Sequence, residues 1–198
     1  MLTITLPEPD DFEAWRDAVR KLVVNDVPPG RVVWQTGDSP GDLFAGEALQ
    51  PAIATAFSVQ RQFIDVARKA VLHSDPERFA LLHTLLARLR DAPRLMDDQA
   101  DPLVRKLEAM AKAVRRDIHK MRAFVRFRET HDAEGQSGGT RYLAWFEPDH
   151  HIVRANAGFF VDRFASMLWS ILTPELSIHW DGKTLSEGPG AIKADAPD

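Results

Sequence analysis

Residues 103–128 read LVRKLEAMAKAVRRDIHKMRAFVRFR. Within them Leu103, Leu107, Met110, Val114, Ile118 and Met121 recur at steps of four, three, four, four and three. At about 100° per residue those steps keep the apolar side chains on one side of a helix. Lys112, Arg115, Arg116, His119 and Lys120 project away from that stripe. From Arg105 to Arg128 nine Lys or Arg stand against two acids, Glu108 and Asp117, in a chain whose net charge is −4. Positive charge concentrated on one element of an acidic chain is the electrostatic outline of a polyanion-binding surface. The plainer reading is a solvated outer face. Such a face ordinarily mixes Glu with Lys at i,i+4, and this helix is poor in acids. The segment then runs into a strand over residues 123–130. There Arg126 and Arg128 alternate with Val125 and Phe127, so both cations fall on one face of that strand.

Upstream of this helix, residues 77–90 place Phe79, Leu82, Leu85, Leu86 and Leu89 at helical spacing, opened by Asp75 and Pro76 as N-cap and first-turn residues. Residues 57–72 form an earlier helix with Phe63, Val66, Ala67 and Ala70 inside. The acidic stretch MDDQADP (96–102) is available to pair with the basic helix beside it. At the start, residues 2–6 alternate as a strand. Asp10 or Asp11 caps a helix over 12–25 facing inward through Trp15, Val19, Leu22 and Val23, and residues 31–35 form a second strand. Strand, helix and strand at this spacing predict a small βαβ crossover with parallel strands. TGDSPGDLFAG (36–46) is a loop. It has neither the Walker lysine nor a GxGxxG spacing, so it is not a phosphate loop.

Downstream the period changes. Strands are expected over 123–130 and 140–147, joined by the polar tip HDAEGQSGG (131–139). A helix follows over 156–167, then strands over 169–173 and 176–180. The expected class is therefore α+β: a short βαβ start (1–46), a helical middle (57–122) and a β-β-α-β-β antiparallel sheet (123–187). Together these make one compact domain over 1–187, with 188–198 a linker or truncated tail. The length of 198 residues permits such a core. The chain has no cysteine, which excludes disulfides, thiolate nucleophiles and zinc–thiolate or iron–sulfur ligation within it. No secretory signal or bilayer-length apolar run is present, so a cytoplasmic protein without a membrane partner is expected.

Several candidate chemical groups lie near the sheet. Glu147, Asp149, His150 and His151 fall within five residues. They admit acid–base work or phosphate contact by His150 or His151 with Glu147. They also admit a plain strand end turning into a helix, with Asp149 as its cap. Adjacent histidines in an extended segment point to opposite faces, so at most one joins a given site; no metal site and no cofactor is expected. Trp145, Trp169 and Trp180 either stack on unpaired bases or fill the core. Ser170 and Thr173 show no evident base partner, and His179 stands apart.

Four strings together resemble a bacterial family known as domain of unknown function 4130, described as a DNA-metabolism protein. They are DDFEAWRDAVRKLVVNDVPPGRVVWQ (10–35), AMAKAVRRDIHKMRAFVRFRE (109–129), RYLAWFEPDHHIVRANAGFFVDRFASMLWSILTP (141–174) and HWDG (179–182). The resemblance implies a DNA-repair context, either beside a radical-SAM partner or as the front half of a fusion to a uracil-DNA glycosylase. It supplies no reaction for this domain. The motifs of the glycosylase itself, its cysteines and its GExPG-like loop, are not in this chain. Three readings follow. The first is a nucleic-acid-binding accessory domain that holds DNA phosphates through Lys112, Arg115, Arg116, His119, Lys120, Arg126 and Arg128. The second is a protein-interaction module docking on the glycosylase or radical-SAM partner. The third is a DNA-processing enzyme using Glu147, His150 and His151.

Overall fold

The computed structural model describes residues 1–37, 58–130 and 140–195. The expected loop from residue 38 onward, Phe57, the hairpin tip 131–139 and the last three residues lie outside them. The fold is α+β, as expected. The chain divides into two compact units, Met1–Arg115 and Arg116–Asp198.

The first unit opens with β1 (Leu2–Leu6), α1 (Phe12–Val24) and β2 (Val32–Thr36). The two strands pair in parallel from Leu2↔Val32 to Leu6↔Thr36, the crossover that the spacing predicts. Of the two candidate caps, Asp11 takes the role: its carboxylate accepts the Ala14 amide at 2.8 Å. α2 (Arg61–Ala70) and α3 (Arg78–Asp91) follow, then α4 (Pro102–Phe124), which begins in this unit and ends in the second. Trp15, Phe63, Leu82, Leu85, Met96 and Leu107 are among the fully buried side chains here. The pattern on α4 holds with one shift, because Val104 is fully buried where Leu103 is only partly so.

The acidic stretch before α4 does not spend its charge on the basic helix. Asp101 accepts the Leu103 and Val104 amides at 2.9 and 3.0 Å, capping α4, and is gripped by both terminal nitrogens of Arg88 on α3. These bonds hold its carboxyl below the usual carboxylate range, the Arg88 contact most of all. Asp97 pairs with Arg94. The helix cation that is neutralised in this unit is Lys106, by Asp75 and Glu77 of the approach to α3.

In the second unit β3 (Arg128–Thr130), β4 (Arg141–Trp145), β5 (Leu168–Leu172), β6 (Leu176–Trp180) and β7 (Leu185–Pro189) form a sheet in that order, with α5 (Val153–Arg163) between β4 and β5. Three features differ from expectation. The sheet is mixed, not antiparallel throughout: β4 and β5 run parallel from Arg141↔Leu168 to Trp145↔Leu172. The reason is α5, which carries the chain back to the end where β4 began, as a crossover helix must. The strand expected over 123–130 is reduced to three residues because α4 persists to Phe124. Finally, β7 adds a fifth strand reaching into the region expected to be a tail. Asp181 builds the turn into it by accepting the Lys183 and Thr184 amides, and Gly182 supplies a positive φ of 87°. Beyond β7 the chain stays docked. The Ala191 amide donates to Thr173 at 2.9 Å, and a Cβ at Gly190 would lie 2.0 Å from the Pro174 carbonyl.

The alternation of each strand defines two sheet faces. One carries Trp169, Ile171 and Ile178 and packs on α5 through Phe160, whose ring lies 6.2 Å from that of Trp169. Phe127 joins this cluster 5.9 Å from Trp169. The other face presents Leu143 and Trp145 of β4, Ser170 of β5 and His179 of β6, all of them half-exposed.

A candidate nucleic-acid interface on the long helix

α4 sorts its side chains as its sequence predicts. Lys112, Arg115, Arg116, His119 and Lys120 are exposed, while Leu107, Met110, Val114, Ile118 and Met121 are buried. At about 100° per residue, Arg105, Lys112, Arg115, Arg116 and His119 fall within about 100° of arc. Among the described residues, Lys112, Arg115, Arg116 and His119 have no acidic partner. In the first unit a shallow groove of about 600 Å³ runs along this side of α4, lined by Arg105, Lys112 and Arg115 with Gln99 and Glu108. Glu108 is the one acid on the exposed side of the helix, and its carboxylate faces the Gln62 amide at 3.4 Å.

The other acid of α4, Asp117, is buried and lies off the basic side. Its carboxylate accepts the amides of Asp149 and His150 at 2.9 and 3.0 Å, tying the end of α4 to the segment before α5. Burial pushes its carboxyl above the usual value, against the pull of those two bonds. Replacing Asp117 by alanine is expected to cost about 2 kcal/mol, the penalty for two unpaired amides in a partly dry site. Asp117→Asn, which keeps an acceptor, should cost less. Urea unfolding checks both, and an alanine variant within about 0.5 kcal/mol of the parent would remove this anchor from the account.

The other predicted cations have local duties. Lys120 donates to Asp149 at 3.0 Å, and that contact holds the Asp149 carboxyl low. Arg126 lies in the coil after α4 and not on a strand. Its guanidinium donates to the Ala123 and Val125 carbonyls at 2.7 and 3.0 Å, satisfying acceptors that the helix end leaves open. So Arg126 and Arg128 do not share a strand face. Arg128 opens β3 and is exposed. Arg122 is occupied as well, donating to Asn156 at 2.7 Å and covering the Phe159 ring.

The Glu147, His150 and His151 group does not converge through the contacts seen. Glu147 accepts from the Trp145 indole at 2.9 Å and pairs with Lys193, which together hold its carboxyl low. His151 meets Glu175 at 2.8 Å. Burial lowers the pKa of His150, so its ring favours the neutral form. Among the described residues no three His, Asp or Glu side chains are placed to hold a metal ion.

What the structure does bring together is Ser170 and His179. They face each other in the β5–β6 register, with imidazole Nδ1 2.8 Å from the hydroxyl. Nine residues separate them in the chain, and only the hairpin register makes them neighbours. The sequence signal that could have found them is that register itself, fixed by the turn at Thr173. The Thr173 hydroxyl donates to the Leu176 carbonyl at 2.6 Å. Of the three tryptophans, Trp169 is core, Trp145 stands on the half-exposed face, and Trp180 donates to the Ala165 carbonyl at 3.0 Å.

Fold and site together define an α+β protein whose long helix presents a cationic side, four of its cations without an acidic partner among the described residues. The chain belongs to the DUF4130 family, a domain of unknown function: the family's model matches residues 76–191, from the start of α3 through β7. Comparison with curated proteins and with solved structures gives no match. No helix among the described residues is long and apolar enough to cross a membrane.

Proposed function

We propose that this chain is a nucleic-acid-binding accessory domain of DNA repair that holds backbone phosphates on the exposed side of α4. The observation that carries the reading is the set Lys112, Arg115, Arg116 and His119: exposed, on adjacent turns, and without an acidic partner among the described residues. Cations that a fold uses for its own stability are paired, as Lys106, Lys120 and Arg88 are. Four left unpaired on one side supply the counter-charge for successive phosphates. Arg105 extends the row along the groove of the same helix. The repair context comes from the family resemblance. A uracil-DNA glycosylase or radical-SAM protein is the partner that the same resemblance implies.

Fluorescence anisotropy with single-stranded and duplex DNA, with and without uracil, tests this across a salt series. Binding should weaken steeply with salt. The double reversal Arg115→Glu with Arg116→Glu should abolish it, and single neutralisations should lower the salt slope by about one per lost phosphate contact. Binding unchanged in the double reversal would take α4 out of the interface. No binding even at low salt would assign the cationic side to an acidic surface on the protein partner.

A further inference from the structure

We propose that Ser170 and His179, with Arg141 beside them, form a nucleophile–base site for phosphate esters on the half-exposed face of the five-stranded sheet. The pair is built by topology. β5 and β6 set the two residues opposite each other, so both side chains rise from the same face and the hydroxyl reaches Nδ1 at 2.8 Å. That face is the one turned away from α5, since α5 packs on the opposite side through Phe160 and ties to Glu187 there through Arg154. Both residues are half-exposed, open to a ligand yet partly dry. Room for the imidazole is reserved by Gly188 on β7: a Cβ there would lie 2.9 Å from Nε2.

The charge on this face selects the substrate class. Arg141 shares it, one strand over from Ser170 and two residues along. That is about 5 Å across and about 7 Å along, within the span of an arginine side chain. Arg128 pairs with Leu143 on the same face. The acids of the flanking strands, Glu129 and Glu187, alternate to the other side. An anionic ester suits the two arginines that this face carries. A carboxylic ester fits less well, because the mid-strand amides that would steady a tetrahedral oxyanion are engaged in the ladders on either side. Phosphoryl transfer relies on cations for that task. Burial, helped by the Arg141 charge, lowers the pKa of His179 and keeps the ring in the neutral form that accepts a proton.

In the Nε2–H tautomer, Nδ1 accepts the Ser170 hydroxyl proton as Oγ attacks phosphorus. The Oγ–P bond forms while the P–O bond to the leaving group breaks, and His179 passes the proton to the departing oxygen. Water then attacks the phosphoseryl group, giving one proton to His179. His179 returns that proton to Ser170 Oγ as the Oγ–P bond breaks.

The test uses the full chain and bis(p-nitrophenyl) phosphate, following release of p-nitrophenolate and the mass of the Ser170 peptide. Release and a phosphoryl adduct on Ser170 are expected. Both should vanish in Ser170→Ala, and the rate should fall about a hundredfold in His179→Gln. Gly188→Ala, which leaves both reacting residues in place but displaces the ring, should fall comparably with its circular dichroism unchanged. The small diester is cleaved without DNA being held on α4, so loss of cleavage and loss of salt-dependent DNA binding are read separately. No release above buffer, or an unchanged rate in Ser170→Ala or His179→Gln, would overturn the site.

Discussion

Truncating Trp169 to alanine is expected to destabilise the second unit by about 3–5 kcal/mol. Trp169 is 2% exposed. It stands on β5 where the helix-facing side of the sheet meets α5, with Phe127 and Phe160 around it at ring separations of 5.9 and 6.2 Å. Phe160 is itself buried and stacks near Phe164 at 6.3 Å, so no neighbour is free to collapse into the vacated space. A second variant separates volume from polarity. The Trp169 indole N–H is buried without a partner among the described residues, and an unmade bond of this kind costs about 1–3 kcal/mol. Trp169→Phe removes that donor while keeping most of the ring, so its loss should be well under half that of the alanine variant. Urea unfolding followed by circular dichroism measures both. An alanine variant that loses less than about 1 kcal/mol would show that the aromatic cluster does not organise this unit.

The second large effect is acid sensitivity of the first unit through His83. This residue lies on α3, fully buried, its ring edge-on to Trp34 at 6.2 Å. Neither ring nitrogen meets a partner of good geometry among the described residues. Burial lowers its pKa from 6.5 to about 4, and the Val27 backbone opposes only part of that shift. Between those values the unfolded chain takes up a proton that the folded chain refuses. Stability is therefore fully present above about pH 6.5 and is lost progressively as pH falls toward 4, by about 3 kcal/mol in all. His150 and His179, also held low by burial, add with the same sign in the second unit. Urea midpoints at pH 7.5 and 4.5, read by tryptophan fluorescence, measure the loss. His83→Leu should flatten the dependence and raise stability at neutral pH, since it removes two unpartnered polar atoms. A parent protein equally stable at both pH values would contradict the buried neutral ring.

Much of this could be read from the chain because it is written in short-range periodicity. The α4 stripe, the inner faces of α1 to α3 and the parallel β1–β2 pair all follow from spacing that a helix or strand imposes on its own residues. The exposed cations of α4 were legible for the same reason, being the complement of an apolar stripe. What stayed hidden depends on partners far along the chain. The direction of β5 relative to β4 is set by α5, and the rule that predicted parallel β1 and β2 applies there too. β7 is silent in the sequence because Leu185–Pro189 has little apolar pattern, as befits an edge strand with one open side. Arg126 leaves its expected strand because α4 runs on to Phe124, and its guanidinium then serves the helix end. The Ser170–His179 contact is a property of register, which neither residue announces alone.

That modest β7 carries a consequence for how the protein survives partial unfolding. It ends in Gly188 and Pro189, and it covers one side of β6, whose LSIHW sequence is the kind of apolar, uncharged ribbon on which foreign strands grow. The opposite border, β3, is three residues long and bears Arg128 and Glu129. Both margins of the sheet are thus poor templates for recruitment of another chain. Peeling away β7 would bare β6, so loss of a strand with almost no hydrophobic weight of its own should turn the sheet into a seed for fibrils.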